Sequence, residues 1–183
     1  MAVPSQGTVA VGDKITASLW NDDVRDAVNF LISPPRVKVY KTANQSIANS
    51  AWACLTWNAE AFDSDTVNPM HDNATSNSRI TFTTAGTYQI TYNALWANNS
   101  TGLRNHTIEK NGTTTQGSGT TIIEPFAISP VAATHSGASI SVMASFVAGD
   151  WIQAFAWQNS GGALNLAGVT EAHSSFSARW VSS

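Results

Sequence analysis

A chain of 183 residues with a formal charge of −3 and charged residues at only 11% of its length carries no Lys/Arg cluster of the kind that marks a nucleic-acid footprint. Folding at this length hides roughly 70% of the unfolded chain's accessible area, whereas an ordinary soluble domain is about 25% charged, so the shortage of charge predicts that partner subunits cover part of the surface. Cys54 is the only cysteine, which excludes an internal disulfide and predicts a small buried hydrophobe.

Residues 1–12 are small, polar and punctuated by Gly and Pro, the composition of an extended arm. The opening Met1-Ala-Val-Pro-Ser-Gln-Gly7 has no basic region followed by an apolar run, and no stretch approaches the length of a membrane span, so synthesis in a cytoplasm and no membrane partner are expected. From Thr16 to Ile32 the apolar residues Trp20, Val24, Ala27, Val28 and Leu31 recur at helical spacing. Asp22 and Asp23 sit early, where the helix dipole favours negative charge, and Ser33-Pro34-Pro35 stops the helix. One helix with one apolar stripe is marginal alone and must bury that stripe on its own β domain, on another protein or against copies of itself.

Beyond Pro35 the pattern is strand and turn. Val37 and Val39 alternate with Arg36, Lys38 and Tyr40; Trp52, Cys54 and Thr56 alternate with Ala53, Leu55 and Trp57; Ile80 and Phe82 lead to a turn at Ala85-Gly86. Tyr88, Ile90, Tyr92, Ala94 and Trp96 then mark one buried face of a long strand whose other face is wetter. Leu103 to Lys110 forms a strand closed by the hairpin signal Asn111-Gly112. Further strands are expected near 120–128, 138–147, 151–158, 163–168 and 173–181. So many short strands mean an all-β sandwich or barrel and exclude a parallel α/β fold.

In Trp151-Ile-Gln-Ala-Phe-Ala-Trp157, Trp151, Phe155 and Trp157 share one face while Ile152, Ala154 and Ala156 make the other apolar too. A sandwich strand turns only one side toward its own core. The second face is read as a subunit interface, the alternative being a loop or the N-terminal helix lying over it.

The loop Asp63-Ser-Asp65-Thr-Val-Asn-Pro-Met-His71-Asp72-Asn73 gathers oxygen ligands suited to calcium but lacks the spacing of a calcium loop, and its ordinary reading is a turn-forming segment with no metal. His71, His106, His135 and His173 are scattered, without the H-E-x-x-H or G-x-S-x-G arrangements of hydrolases, so no catalytic residues and no cofactor are assigned. Asn, Thr, Tyr and Trp suit carbohydrate recognition, although Trp52, Trp57 and Trp96 lie in regular strands where core packing is the simpler explanation.

Four segments resemble the C1q/TNF-like jelly rolls. Arg79-Ile-Thr-Phe-Thr-Thr-Ala-Gly86-Thr-Tyr88-Gln-Ile is similar to that family's F-x-x-P-x-G-x-Y-x-F element, without the proline. His106-Thr-Ile-Glu-Lys-Asn111-Gly112 is similar to its strand ending in Lys-Asn-Gly, Phe146-Val-Ala-Gly149-Asp150-Trp-Ile152 to its L-x-x-G-D-x-V, and Ser174-Ser-Phe176-Ser-Ala to its closing strand, with Ala178 in place of glycine. The resemblance implies an antiparallel jelly-roll sandwich over 36–183 that assembles as a homotrimer.

Residues 1–35 form a separate arm and helix. Ile15-Thr-Ala-Ser-Leu-Trp20-Asn21-Asp-Asp-Val24-Arg25-Asp26 resembles the Trp-Asn-x-x-Val-Arg-Asp segment that opens many tailed-phage structural proteins. The two resemblances together imply a phage structural protein on the virion surface, assembled in the host cytoplasm. Its trimer would be held through Trp151, Phe155 and Trp157, and Trp20, Val24, Val28 and Leu31 would anchor it to a major capsid or tail protein. A capsid decoration protein is the leading expectation; a tail-fibre or receptor-binding tip that adheres to a host glycan or protein is the alternative.

Overall fold

A computed structural model of the chain describes residues 3–4, 7–8, 10–65, 67–130, 135–169 and 172–183. The strands are β1 (Arg36–Tyr40), β2 (Gln45–Ile47), β3 (Ala53–Cys54), β4 (Ala59–Asp63), β5 (Ile80–Thr81), β6 (Gly86–Trp96) and β7 (Arg104–Lys110). They continue with β8 (Thr120–Ile128), β9 (Ser136–Phe146), β10 (Trp151–Gln158), β11 (Leu164–Leu166), β12 (Gly168–Val169), β13 (Ala172–His173) and β14 (Ser175–Ser182). One sheet runs β2-β11-β6-β14-β1-β4 with β9 also on β6; the other runs β3-β10-β7-β8 with β5 also on β10, and β12 and β13 form a small ribbon. All ladders between these strands are antiparallel. Of the sandwich or barrel that the strand spacing predicts, this is a sandwich, with the antiparallel jelly-roll arrangement that the C1q/TNF resemblance implies.

Alternation in β6 places the strand as expected: Tyr88, Ile90, Tyr92, Ala94 and Trp96 are buried while the residues between them are not. Facing them, Ile108 of β7 and Ile152, Ala154 and Ala156 of β10 join the same core. Aromatic rings fill the space between the sheets. Trp57 stacks on Phe176 at 5.6 Å and meets Tyr92 edge-on at 6.3 Å, while Phe82 stacks on Phe146 at 3.8 Å. Burying each such ring contributes roughly 1.5–3 kcal/mol before ordering costs.

Two strands, β2 and β4, escape the sequence pattern. Each is short, and Gln45-Ser46-Ile47 and Ala59-Glu-Ala-Phe-Asp63 show no apolar alternation long enough to register. They are strands because they complete the edges of the first sheet, β2 against β11 and β4 against β1.

His106 is a core residue, fully buried. Its Nε2 accepts from the Trp96 indole N–H at 3.0 Å. Indole nitrogen only donates, so Nε2 is unprotonated and Nδ1 carries the hydrogen, donating to the Tyr92 hydroxyl at 2.8 Å. Burial holds the imidazole down from 6.5 to about 3, and protonation would break the Trp96 bond. The unfolded chain therefore binds a proton that the folded chain refuses between those two values, and His106 makes stability fall as pH drops from 6.5 towards 3. Denaturant midpoints at about pH 7 and about pH 5 should differ in the native chain and draw together in His106→Phe; an undiminished difference in the variant would place the titration elsewhere.

Candidate functional site

The N-terminal helix is continuous through α1 (Ala17–Trp20), a π turn (Asn21–Arg25) and α2 (Asp26–Ile32). It starts where the Thr16 hydroxyl accepts from Leu19 N–H at 3.2 Å, a side-chain cap. Of the arm before it, residues 1, 2, 5, 6 and 9 lie outside the described residues; Gly7 N–H donates to Asp23 Oδ1 at 2.7 Å, which folds the arm onto the helix. Phe30 alone in the helix is buried, its ring packed edge-on against Trp180 at 4.8 Å. The four residues of the predicted anchor stay open, Trp20 at 55%, Val24 at 38%, Val28 at 46% and Leu31 at 68% exposure. The helix thus touches the sandwich through its last turn and presents an apolar stripe that this chain does not cover.

The face of β10 carrying Trp151, Phe155 and Trp157 requires a correction. Phe155 has no exposed surface within the single chain, and Trp151 and Trp157 are half-buried, so Phe155 offers nothing to a neighbouring subunit. Its cover comes from the chain itself, where buried side chains of the outer sheet face bind loop backbone. Glu109 accepts from Gly117 N–H at 2.7 Å and Gly119 N–H at 3.2 Å, folding the β7–β8 connection back over the sheet. The Gln153 carboxamide, in the orientation that satisfies both of its ends, donates to the Gly112 and Thr113 carbonyls at 3.1 and 3.0 Å and accepts from the Ser78 hydroxyl at 3.0 Å. The Trp151 indole donates to the Gly112 carbonyl at 3.1 Å and lies under the Arg79 guanidinium at 4.7 Å. Cys54 pairs with Phe155 on this face and is half-buried, its thiol pushed up to about 11 by burial.

An uncovered surface lies instead along the sandwich edge. β8 and β9 are the terminal strands there, one in each sheet, and β9 runs Ser-Gly-Ala-Ser-Ile-Ser-Val-Met-Ala-Ser-Phe without a charge. Its inward residues Ala138, Ile140, Val142 and Ala144, with Ile122, Ile123 and Ile128 of β8, pack on the core yet remain only partly buried. Beside this edge, the outer face of the first sheet is broad and polar. Thr91, Ser141 and Ser177 line it through Ser141 Oγ to the Ile90 carbonyl at 3.2 Å and Ser177 Oγ to the Thr91 carbonyl at 3.4 Å.

The remaining candidates resolve into structural roles. In the Asp63–Asn73 segment, Asp63 accepts from Asp65 N–H at 3.0 Å and His71 N–H at 3.1 Å, and Asp65 from Asn68 N–H at 3.0 Å and the Thr83 hydroxyl at 3.1 Å. The Thr75 hydroxyl and the N–H groups of Ala74 and Thr75 hold the Asp72 carboxyl below its usual range. The carboxylates shape the loop, and among the described residues no group of three metal-binding side chains converges. The histidines are not brought together either: His71 Nδ1 meets Glu60 Oε1 at 2.9 Å, His106 lies in the core, and the His173 ring packs against Tyr40 at 4.9 Å. No described helix is long and apolar enough to cross a membrane.

No protein-family model matches the chain, and no curated protein sequence does. Solved structures do. The globular domain of zebrafish complement 1qA is 11% identical, with 80% of this chain and 97% of that one covered at a TM-score of 0.52. Murine APRIL is 10% identical over 80% and 98% at 0.58, and Eiger TNF from S. frugiperda is 11% identical over 81% and 95% at 0.58. At such identities the likeness defines the fold: the chain is a C1q/TNF-like jelly roll, as the four sequence elements imply.

Because Phe155 is enclosed by its own chain, Phe155→Ala should cost about 3–5 kcal/mol of subunit stability by leaving a cavity. Sedimentation of the variant should match the parent; dissociation without loss of subunit stability would return Phe155 to an interface.

Proposed function

We propose that this chain is a non-enzymatic structural protein of a phage particle, a trimeric capsid decoration protein held to the particle by its N-terminal helix. The observation that carries this reading is the helix itself, fixed to the sandwich at Phe30 while Trp20, Val24, Val28 and Leu31 remain exposed. An amphipathic helix that leaves its stripe open forgoes several kcal/mol of burial unless a partner supplies the other half. The segment's resemblance to phage structural openers makes that partner a capsid or tail protein.

The β8–β9 edge supports assembly of copies. Exposed edge strands invite pairing and are ordinarily blunted by charge or proline. β9 has neither, and the half-covered isoleucines and valine behind it need a lid. The polar face of the first sheet on a second copy fits that role, since an edge-on-face contact is heterologous and closes into a ring when the rotation permits. Three copies related in this way would place the interface on β8, β9 and the outer face of the first sheet rather than on β10.

Met143→Asp, at an exposed position of β9, puts a charge into that contact and should release monomers that retain the sandwich, read by analytical ultracentrifugation. A variant that still sediments with the parent would remove β9 from the interface. For attachment, Val24→Asp with Leu31→Asp alters only exposed positions, so the purified assembly should be unchanged while its incorporation into particles falls to background. Cryo-electron microscopy of intact particles decides between the capsid position and a tail tip; full incorporation of the double variant would overturn the anchor.

A further inference from the structure

The register that pairs Ala53 with Ala156 and Cys54 with Phe155 carries Trp52 to a place beside Trp157, and the two rings lie 6.5 Å apart with their planes inclined at 41°. On the other flank of β10, Trp157 pairs with Asn105. All three are half-buried.

These two tryptophans differ from the others of the sandwich. Trp57 and Trp96 are fully buried, and the indole N–H groups of Trp96, Trp151 and Trp180 donate to His106, Gly112 and Ala85. Among the described residues, Trp52 and Trp157 keep both open ring surface and an indole donor that no protein group engages. Asn105 in turn pairs with Ala127 of β8, so the row across the sheet contains no ionisable side chain.

The row also lies far from the attachment helix. Phe30 packs on Trp180, whose indole reaches Ala85 at the start of β6. Trp157 sits at the other end of the sandwich, next to Gln158 and its partner Arg104, whose guanidinium covers Trp96 at the end of β6. The eleven residues of β6 separate the two ends by about 33 Å. A trimer fastened by its helices would turn Trp52 and Trp157 outward.

We propose that the Trp52–Trp157–Asn105 row binds a neutral glycan. A pyranose offers a C–H face that stacks on an indole, while its hydroxyls need donors and acceptors near the ring edge. The paired indoles supply the faces, their N–H groups supply donors, and the Asn105 carboxamide supplies both functions. The absence of charge in the row favours an uncharged sugar over a sialylated or sulfated one. The inference does not depend on where the protein sits on a particle.

The test uses the full chain grown with fluorotryptophan, whose seven tryptophans give separate fluorine NMR signals assigned by Trp52→Phe and Trp157→Phe. Cellohexaose, maltohexaose and chitotetraose serve as first probes, followed by a printed array of neutral glycans. A binding glycan should move the Trp52 and Trp157 signals saturably. Trp157→Ala and Asn105→Ala should each weaken its affinity about tenfold or more in chains that stay folded, read from the fluorine signals of the remaining tryptophans. Silence across the probes and the array, or a shift that both variants retain, overturns the proposal. Dissociation of the assembly in Trp157→Ala also overturns it, by making the row an interface between copies.

Discussion

His106 is clamped from both sides, by the Trp96 indole on one ring nitrogen and by the Tyr92 hydroxyl on the other. Those partners belong to β6 of the first sheet and His106 belongs to β7 of the second, so one neutral imidazole fixes the position of the sheets against each other. Dispersion and apolar burial are non-directional and tolerate sliding; two hydrogen bonds in a dry interior do not. The Phe126 ring stacks on the same imidazole at 5.5 Å and draws β8 into the arrangement.

A second fastening lies at the opposite end of the sandwich, where two of the sequence elements that resemble the C1q/TNF family meet. Lys110 pairs with Asp150 at 2.6 Å, and the Asn111 carboxamide donates to Asp150 at 2.7 Å while accepting from Trp151 N–H at 2.9 Å. Burial alone would raise the Asp150 carboxyl, but these donors hold it below its usual value. Asn111 adopts a positive φ of 57°, which asparagine tolerates. A third such element carries Gly86, whose φ of 146° and close approach to the Trp180 indole leave no room for a Cβ. The resemblance survives at low identity because these positions close turns and join strands, where few other residues serve.

Much of the fold was legible because half-buried antiparallel strands alternate. β6 could be read residue by residue, and β1, β7, β8 and β10 were recognisable from their apolar content and bounding turns. What escaped depended on contacts distant in sequence. β2 and β4 are strands by virtue of neighbours far along the chain. Phe30, outside the stripe that periodicity selects, became the docking residue because Trp180 lies across from it. The outer face of β10 misled for the same reason: its hydrophobicity was read correctly, but Phe155 is enclosed by its own chain, and the neighbouring Glu109 and Gln153 hold a loop there, two polar residues with no sequence mark of that task. Trp52, placed with the core by pattern, lies on the surface beside Trp157.

Surface composition then distinguishes closed from open regions. Around Trp151 and Gln153 the outer face of β10 uses buried polar side chains to secure its own loops, which is the arrangement of a region that needs no partner. The β8–β9 edge, the helix stripe and the Trp52–Trp157 row show the reverse, with apolar groups left open or half-covered. They occupy different parts of the molecule: the edge along its side, the helix at one end, the aromatic row at the other. If all three faced a single partner they would need to be contiguous. Their separation leaves room for the lateral copies, the particle surface and the glycan proposed above to be engaged together.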